Sequence, residues 1–438
     1  MHASEAGDTS SPPPPGGSPL RHPAFVRLMA YRLLTVVSYQ IVAVTVGWHV
    51  YTLTGDPWKL GLLGLAEVLP FFCVAPFAGY LVDHLPKRRL GTIACLGLAI
   101  TPLLLVPVAA GWLFADVDDG GPRLVLIYGA IVFTGMVRAF LGPVYNTLFA
   151  RVLPRDQFAR ASSIGAVVFQ GALVLGPVIG TGAIWLAKHV GGYGEGAVGP
   201  NAWSYALGAI AALAAAMALA TLRTTEPALS HERTPIFASI GEGLRFVFRT
   251  PVMLGAMALD MFAVLFGGAV SLAPAFSKDI LQAGEMGLGL LRSAPAAGAV
   301  LVGLWLARKP IQQHAGRFLL GSVTGFGLCI IGFGLSETLW LSVLLMLLSG
   351  MFDGVSVVLR STIMQLATPD HMRGRVSSIN SIFISSSNEL GAFYAGSMAR
   401  LLGLANAVVL GGCVTLGVVA FTALKAPTLR RLNLKDLQ

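Results

Sequence analysis

The sequence predicts an all-α polytopic membrane protein, with twelve transmembrane helices arranged as two pseudo-symmetric six-helix bundles. Three observations carry that expectation. Of the 438 residues, 55% are hydrophobic and only 12% charged, against roughly 45–50% and about 25% in soluble domains. Twelve apolar runs have the length of about 20 residues that a bilayer core requires. The connections between runs carry bases on alternate sides, the asymmetry that marks cytoplasmic loops.

The elements follow in order. Residues 1–22 contain SPPPPGGSP and no apolar core, so they read as a disordered cytoplasmic tail and not as a signal peptide. Runs near 25–51, 58–83, 90–113, 123–149, 161–189 and 203–222 make the first bundle, residues 23–222. The last of them, WSYALGAIAALAAAMALATL, is apolar on every face, which excludes a simple amphipathic surface helix. Residues 223–250 form a cytoplasmic linker. Its Ile236, Ile240, Leu244 and Phe248 fall at helical spacing, with Arg245 and Arg249 placed to meet headgroups. Runs near 251–277, 286–307, 317–336, 338–366, 376–402 and 404–426 make the second bundle, residues 251–426, and 427–438 form a second cytoplasmic tail.

With both termini inside, the inner connections hold Lys87, Arg88, Arg89, Arg151, Arg155, Arg160, Arg308, Lys309, Arg373 and Arg375, and Arg32 and Arg360 count with them. The outer loops keep Lys59, Arg123, Lys188 and Lys278 beside Asp116, Asp118, Asp119 and Glu195. The net charge of +9 therefore reports topology in a cytoplasmic (inner) membrane and not a nucleic-acid partner. Cys73, Cys95, Cys329 and Cys413 all fall inside runs without paired spacing. They are expected as small core residues, with no disulfide framework and no metal site.

The chain also repeats itself. Residues 135–164 and 350–379 align at an offset of 350 − 135 = 215, with Gly135, Met136, Thr147, Pro154, Arg160, Ser162, Ser163 and Ile164 meeting identical residues. The offset is about half the chain. Parallel repeats of this kind build transporters whose site lies between the halves near mid-depth.

Between the second and third runs lies GYLVDHLPKRRLG, in which Gly79, Asp83, Lys87, Arg88 and Arg89 follow a G-x3-D-x3-basic pattern. This resembles the signature loop of the major facilitator superfamily. HPAF (22–25), LTGDPWKLGLLGLAEVLP (53–70), GLRFVFRTPVM (243–253) and TPDHMRGRVSSIN (368–380) resemble its branch of enterobactin-type siderophore exporters and macrolide efflux proteins. The resemblance implies that Asp83 and the three bases stabilise one access state. His84 stands where a base is usual, and Pro86 where a glycine is usual. Physically, Gly79 is expected to let neighbouring backbones approach.

Six charges fall well inside runs: Glu67, Arg138, Asp260, Arg292, Asp353 and Glu389. Each is costly in lipid and so a functional candidate. Arg138 and Asp353 occupy the same repeat position with opposite sign. An acid held at low dielectric between the halves can bind and release a proton. By resemblance to the R-x3-G pattern of proton-driven exporters, Arg138 couples protons to substrate. Glu67, Asp260 and Glu389 complete the proposed coupling and cavity set; the serines and Asn388 around Glu389 are expected to keep it ionised, and Arg292 to neutralise an acid. GALVLGPVIGTG (171–182) resembles the antiporter motif. Its Gly176 and Gly180 offer a small-x3-small packing face and Pro177 a point of bending. Tyr39, Trp48, Tyr145, Met257, Phe262 and Phe266 are expected on the cavity wall.

The expected function is proton-coupled export of a small amphiphilic molecule by alternating access. Alternatives are proton-linked uptake or lipid translocation on the same fold, or a non-transporting membrane sensor. HExxH, GxSxG, CxxC and Walker patterns do not occur in the sequence, which argues against an enzyme and against direct use of ATP. The expected partners are a small-molecule substrate, protons and the bilayer. No cofactor is expected, and the chain is expected as a monomer.

Overall fold

The computed structural model describes residues 19–113, 121–153, 157–192, 199–222, 236–309, 311, 313–369 and 372–434. The first half contains α1 (Pro23–Thr54), α2 (Pro57–His84), α3 (Lys87–Ala109), α4 (Gly121–Val152), α5 (Phe158–Gly191) and α6 (Asn201–Ala220). The linker helix α7 (Ile236–Arg249) precedes the second half: α8 (Pro251–Phe266), a one-turn α9 (Ala273–Ala275), α10 (Gly284–Arg308), α11 (Ala315–Leu335), α12 (Leu339–Ala367), α13 (Arg373–Leu402) and α14 (Leu404–Lys425). A last turn, α15, covers Pro427–Arg430. No strand occurs among the described residues.

Local chemistry sets the helix ends. Gly55, at φ 62°, closes α1 in the left-handed region, and its N–H reaches the Tyr51 carbonyl. One residue on, the Asp56 side chain accepts from the Trp58 N–H at 2.9 Å and Pro57 opens α2. The tripeptide Gly-Asp-Pro thus reverses the chain within a tight connection. Eleven candidate spans are long and apolar enough to cross a membrane among the described residues, one of them running from α8 through residue 280. The twelfth long helix, α13, matches them in length, but the polar run from Ser385 to Glu389 sits in its middle.

In the first half α1 packs on α5 and α6, α3 on α4 and α6, and α2 on α4; in the second, α10 packs on α12, α11 on α12 and α14, and α8 on α13 and α14. The halves meet where α2 crosses α13 and α5 crosses α10. Ile93, Val125, Ile210, Leu335, Phe421 and Leu424 lie exposed on the outside. Burying such residues is what water would demand, whereas lipid accepts them.

The repeat is visible in three dimensions. A Cβ on Gly135 would strike the Glu67 carbonyl and Pro70 of α2; a Cβ on Gly350 would strike the backbone of Pro295 on α10. The same glycine therefore permits the same helix crossing in each half.

The seventh run departs from expectation. It is not one continuous helix: α8 stops at Phe266, a 3-10 turn covers Ala269–Leu272, and a π turn covers Phe276–Ile280. The cause is the pair Gly267-Gly268, against which α13 passes at close range. A Cβ on Gly268 would lie 3.2 Å from the Gly391 backbone, and one on Gly391 would lie 3.0 Å from the Leu265 carbonyl. Irregular backbone at membrane depth is tolerated where it is buried in protein or lines a cavity.

The helix α7 forms where its periodicity predicts. Val247 is buried against Met253, Met257 and Val376, while Leu244 and Phe248 stay exposed. Cys95 and Cys329 are buried, but Cys73 and Cys413 are exposed and not core residues, because the outside of a membrane protein is itself apolar.

Candidate functional site

A cavity of about 2040 Å³ lies between the halves. Its wall follows helical stripes. Arg32, Val36, Tyr39, Gln40, Ala43 and Gly47 face it from α1, and Gly64, Glu67, Phe71 and Ala75 from α2, at the three- and four-residue spacings of one helix face. From the second half come Arg292 and Pro295 of α10, Ser349 and Asp353 of α12, and Ser381, Ser385, Asn388 and Glu389 of α13. The broken stretch after α8 supplies Gly267, Gly268, Val270 and Ser271.

The cavity extends to the helix ends that carry His84, Lys87 and Arg151. At the other end the halves are joined. The Tyr51 hydroxyl donates to Asp279, and Lys188 pairs with Glu285. Trp58 packs on Phe393 with centroids 5.1 Å apart. A Cβ on Gly396 would lie 2.8 Å from Gly61.

Four of the expected residues converge near mid-depth. Arg138 Nη1 donates to Glu67 Oε1 at 2.5 Å, to the Tyr39 hydroxyl at 2.9 Å and to Glu389 Oε1 at 3.1 Å. The Tyr39 hydroxyl donates to Glu67 Oε1 at 2.8 Å, and its ring lies 4.7 Å from the guanidinium carbon. Arg138, Glu67 and Tyr39 belong to the first half and Glu389 to the second, so one cation bridges the two. Ser386, Ser387 and Asn388 bond back to carbonyls of α13. Arg138, not the neighbouring serines, is what Glu389 answers to.

Arg292 Nη1 donates to the Val270 carbonyl at 3.4 Å, and its charge acts on Glu67 and Glu389. Asp353 lies on the cavity wall and forms no hydrogen bond or ion pair among the described residues. Asp260 lies apart: it is buried and paired with Arg360 on α12. Arg360, counted with the inner bases, is therefore a buried partner inside a helix. Arg32, counted the same way, lines the cavity.

Glu67 and Arg292 form a second internal match. Each stands three residues before a proline, Pro70 or Pro295, at an offset of 292 − 67 = 225. Arg138 and Asp353 each stand three residues after the crossing glycine, Gly135 or Gly350. The first half thus pairs an acid on α2 with a base on α4, and the second half places a base on α10 and an acid on α12. This inverted duplication was readable as E-x2-P against R-x2-P, although the 215-residue alignment alone does not reach it.

The loop residues sort differently. A Cβ on Gly79 would meet nothing within 4 Å. Gly79 faces the cavity and does not serve a close backbone approach in this state. The Asp83 side chain lies outside the described residues. Lys87 is buried at the start of α3, Arg88 Nη1 donates to the Leu222 carbonyl at 3.1 Å, and Arg89 follows on the same turn. His84 stacks on Tyr80 with centroids 4.0 Å apart.

Gly176 and Gly180 do pack closely. A Cβ on Gly176 would collide with Gln40 of α1, and one on Gly180 would lie 3.0 Å from Val44. The helix α5 continues through Pro177, whose carbonyl accepts from Thr181 Oγ1 at 2.9 Å. Of the six expected wall aromatics and methionines, Tyr39 and Tyr145 face the cavity. Trp48 is buried in the core near Phe276, and Met257 packs under α7. Phe262 is exposed and Phe266 abuts Tyr394 at 5.1 Å. On α8 it is Val264 that lines the cavity, and Phe262 and Phe266, two residues to either side of it, fall on the far side of the helix.

Comparison with known proteins agrees with this architecture. A sequence profile of the Major Facilitator Superfamily matches residues 25–392. The enterobactin exporter EntS of Escherichia coli O1:K1 / APEC is 24% identical over 412 residues, covering 92% of each chain. A bacterial homologue of the human lysosomal transporter Spinster, solved inward-facing and unoccupied, superposes with a TM-score of 0.70 at 14% identity, covering 96% of this chain and 99% of that one. A D-xylose–proton symporter superposes with a TM-score of 0.69 at 13% identity, over 93% and 99% of the two chains.

Proposed function

The chain belongs to the major facilitator superfamily, and on that premise we propose that this transporter exchanges protons for a small amphiphilic molecule and exports it from the cytoplasm. The observation that carries the reading is the Arg138 bridge, which joins Glu67 and Tyr39 of one half to Glu389 of the other at the head of the cavity.

A proton on Glu389 removes the charge that Arg138 holds, and a substrate anion or acceptor beside Arg138 competes for the same guanidinium. Either event releases the halves from one another; their shared use of Arg138 makes proton and substrate alternate. Alternation of this kind is what coupled exchange requires, because each ligand biases the same two-state element. Asp353, unpaired on the opposite wall, serves as a second proton site. The positive-inside pattern of the loops supports a cytoplasmic location for the open mouth, with Lys87 and Arg151, and for both termini. The likeness to an enterobactin exporter supports outward movement of a siderophore-like or drug-like ligand. One chain contains both halves of the cavity, so a monomer suffices, and the site calls for no cofactor or catalytic chemistry.

The test uses proteoliposomes of purified protein holding a pH-sensitive dye, challenged with siderophores, macrolides, cationic dyes and lysolipids. The expected result is proton flux that depends on one of these compounds and is lost in Glu389→Gln. Compound-dependent flux of equal size in Glu389→Gln would contradict the coupling role.

A further inference from the structure

Arg32 is a half-buried cation that meets no acid among the described residues. It projects from α1 into the cavity, its guanidinium carbon lies 3.8 Å from the centroid of the Tyr145 ring of α4, and the Phe169 ring of α5 lies 5.0 Å away. Its Nε is shielded from solvent and has no hydrogen-bond partner among the described residues. Among the described residues the titratable groups that act on it are Tyr145, which also shares a side-chain hydrogen bond with the guanidinium, and Tyr31, neither of them a carboxyl. Among the described residues the acids of the cavity wall are Glu67, Asp353 and Glu389; the two glutamates are held by Arg138. A guanidinium in these surroundings is costly to keep without a counter-charge, and facing rings offset only part of that cost.

The wall as a whole leans the same way. Among the described residues it holds five bases, Arg32, Lys87, Arg138, Arg151 and Arg292, against three acids. Arg32 also lies on the way in. Tyr145, beside it, follows Arg138 by seven residues on α4, about two helical turns or 10 Å nearer the mouth.

We propose that Arg32, Tyr145 and Phe169 form a recognition site for an anionic group attached to an aromatic ring of the substrate. The inference rests on the transport reading and names its ligand class. The guanidinium fork takes the anion through paired N–H donors, while the Tyr145 and Phe169 faces accept the ring. Arg151, exposed at the mouth, steers the anion inward.

The experiment is equilibrium dialysis of detergent-purified full-length protein, without any gradient, against 2-naphthoate, the neutral isostere 2-naphthalenemethanol and the non-aromatic anion cyclohexanecarboxylate. The expected result is 2-naphthoate bound at least about tenfold more tightly than either analogue. Arg32→Gln is expected to bind 2-naphthoate and 2-naphthalenemethanol alike, with a wild-type melting curve in detergent as the check on folding; Arg32→Lys restores part of the preference. Tyr145→Leu keeps the preference for anions and loses the preference for rings.

Equal binding of all three probes by the wild type would overturn the proposal, as would an anion preference that survives Arg32→Gln. Arg32-dependent binding with no proton flux in proteoliposomes would sink the export reading and leave this one standing. Flux of a compound whose binding ignores Arg32 would do the reverse.

Discussion

At the scale of residues, the centre of the molecule is one arginine with more acceptors than it can neutralise. Arg138 meets two carboxylates and a phenol, and breaking such a buried set by removing the cation leaves like charges facing each other. Arg138→Ala is expected to reach the membrane, to lose about 3–5 kcal/mol of stability and to lose driven transport. Adding Glu67→Gln should recover thermal stability but not transport, as read by melting in detergent alongside a flux assay. Asp353→Asn, which breaks no ion pair, should melt like the wild type while losing at least about tenfold in proton-driven rate. The sequence showed these charges one at a time, because an ion inside an apolar run stands out by composition alone. It did not show who meets whom: Glu389 reaches Arg138 across 251 positions, and no periodicity encodes that. Asp260 and Arg360 illustrate the same limit. Each looked like a lone charge, one inside a run and one assigned to a loop, and they meet as a buried pair.

At the scale of elements, helix identity and bounds followed closely from the length of the apolar runs, since backbone groups in lipid have few alternatives to a helix. The break after Phe266 was hidden, because Gly267-Gly268 leaves the run apolar while α13 passes alongside. Glycines separate likewise into those that a crossing needs and those it does not. Gly350 faces the Pro295 backbone, and Gly350→Ala should destabilise the protein by about 1–3 kcal/mol through overpacking. Gly79 faces open space, and Gly79→Ala should be neutral or stabilise by up to about 1 kcal/mol, following helix propensity. Melting temperatures of the two variants check both expectations together; equal losses would refute this reading of Gly79. The contrast matters for the loop between α2 and α3, where the sequence led to the expectation of a close backbone approach at Gly79 that packing in this state does not require.

At the scale of the whole molecule, two similar halves with inverted charges enclose one cavity that is open at one end and fastened at the other. Tyr51 with Asp279 and Lys188 with Glu285 fasten the closed end, while Arg138 ties the halves at mid-depth. The central claim is that a proton on Glu389 loosens this tie and lets the closed end part. The most direct measurement places spin labels at Val190 on α5 and Met286 on α10, both exposed at the closed end, after Cys73 and Cys413 have been replaced. Distances between the labels are then recorded across a range of pH in wild type and Glu389→Gln. The account predicts that acidification lengthens the wild-type distance and that Glu389→Gln holds the longer distance at every pH. A wild-type distance indifferent to pH, or a Glu389→Gln variant that responds to pH as the wild type does, would contradict it.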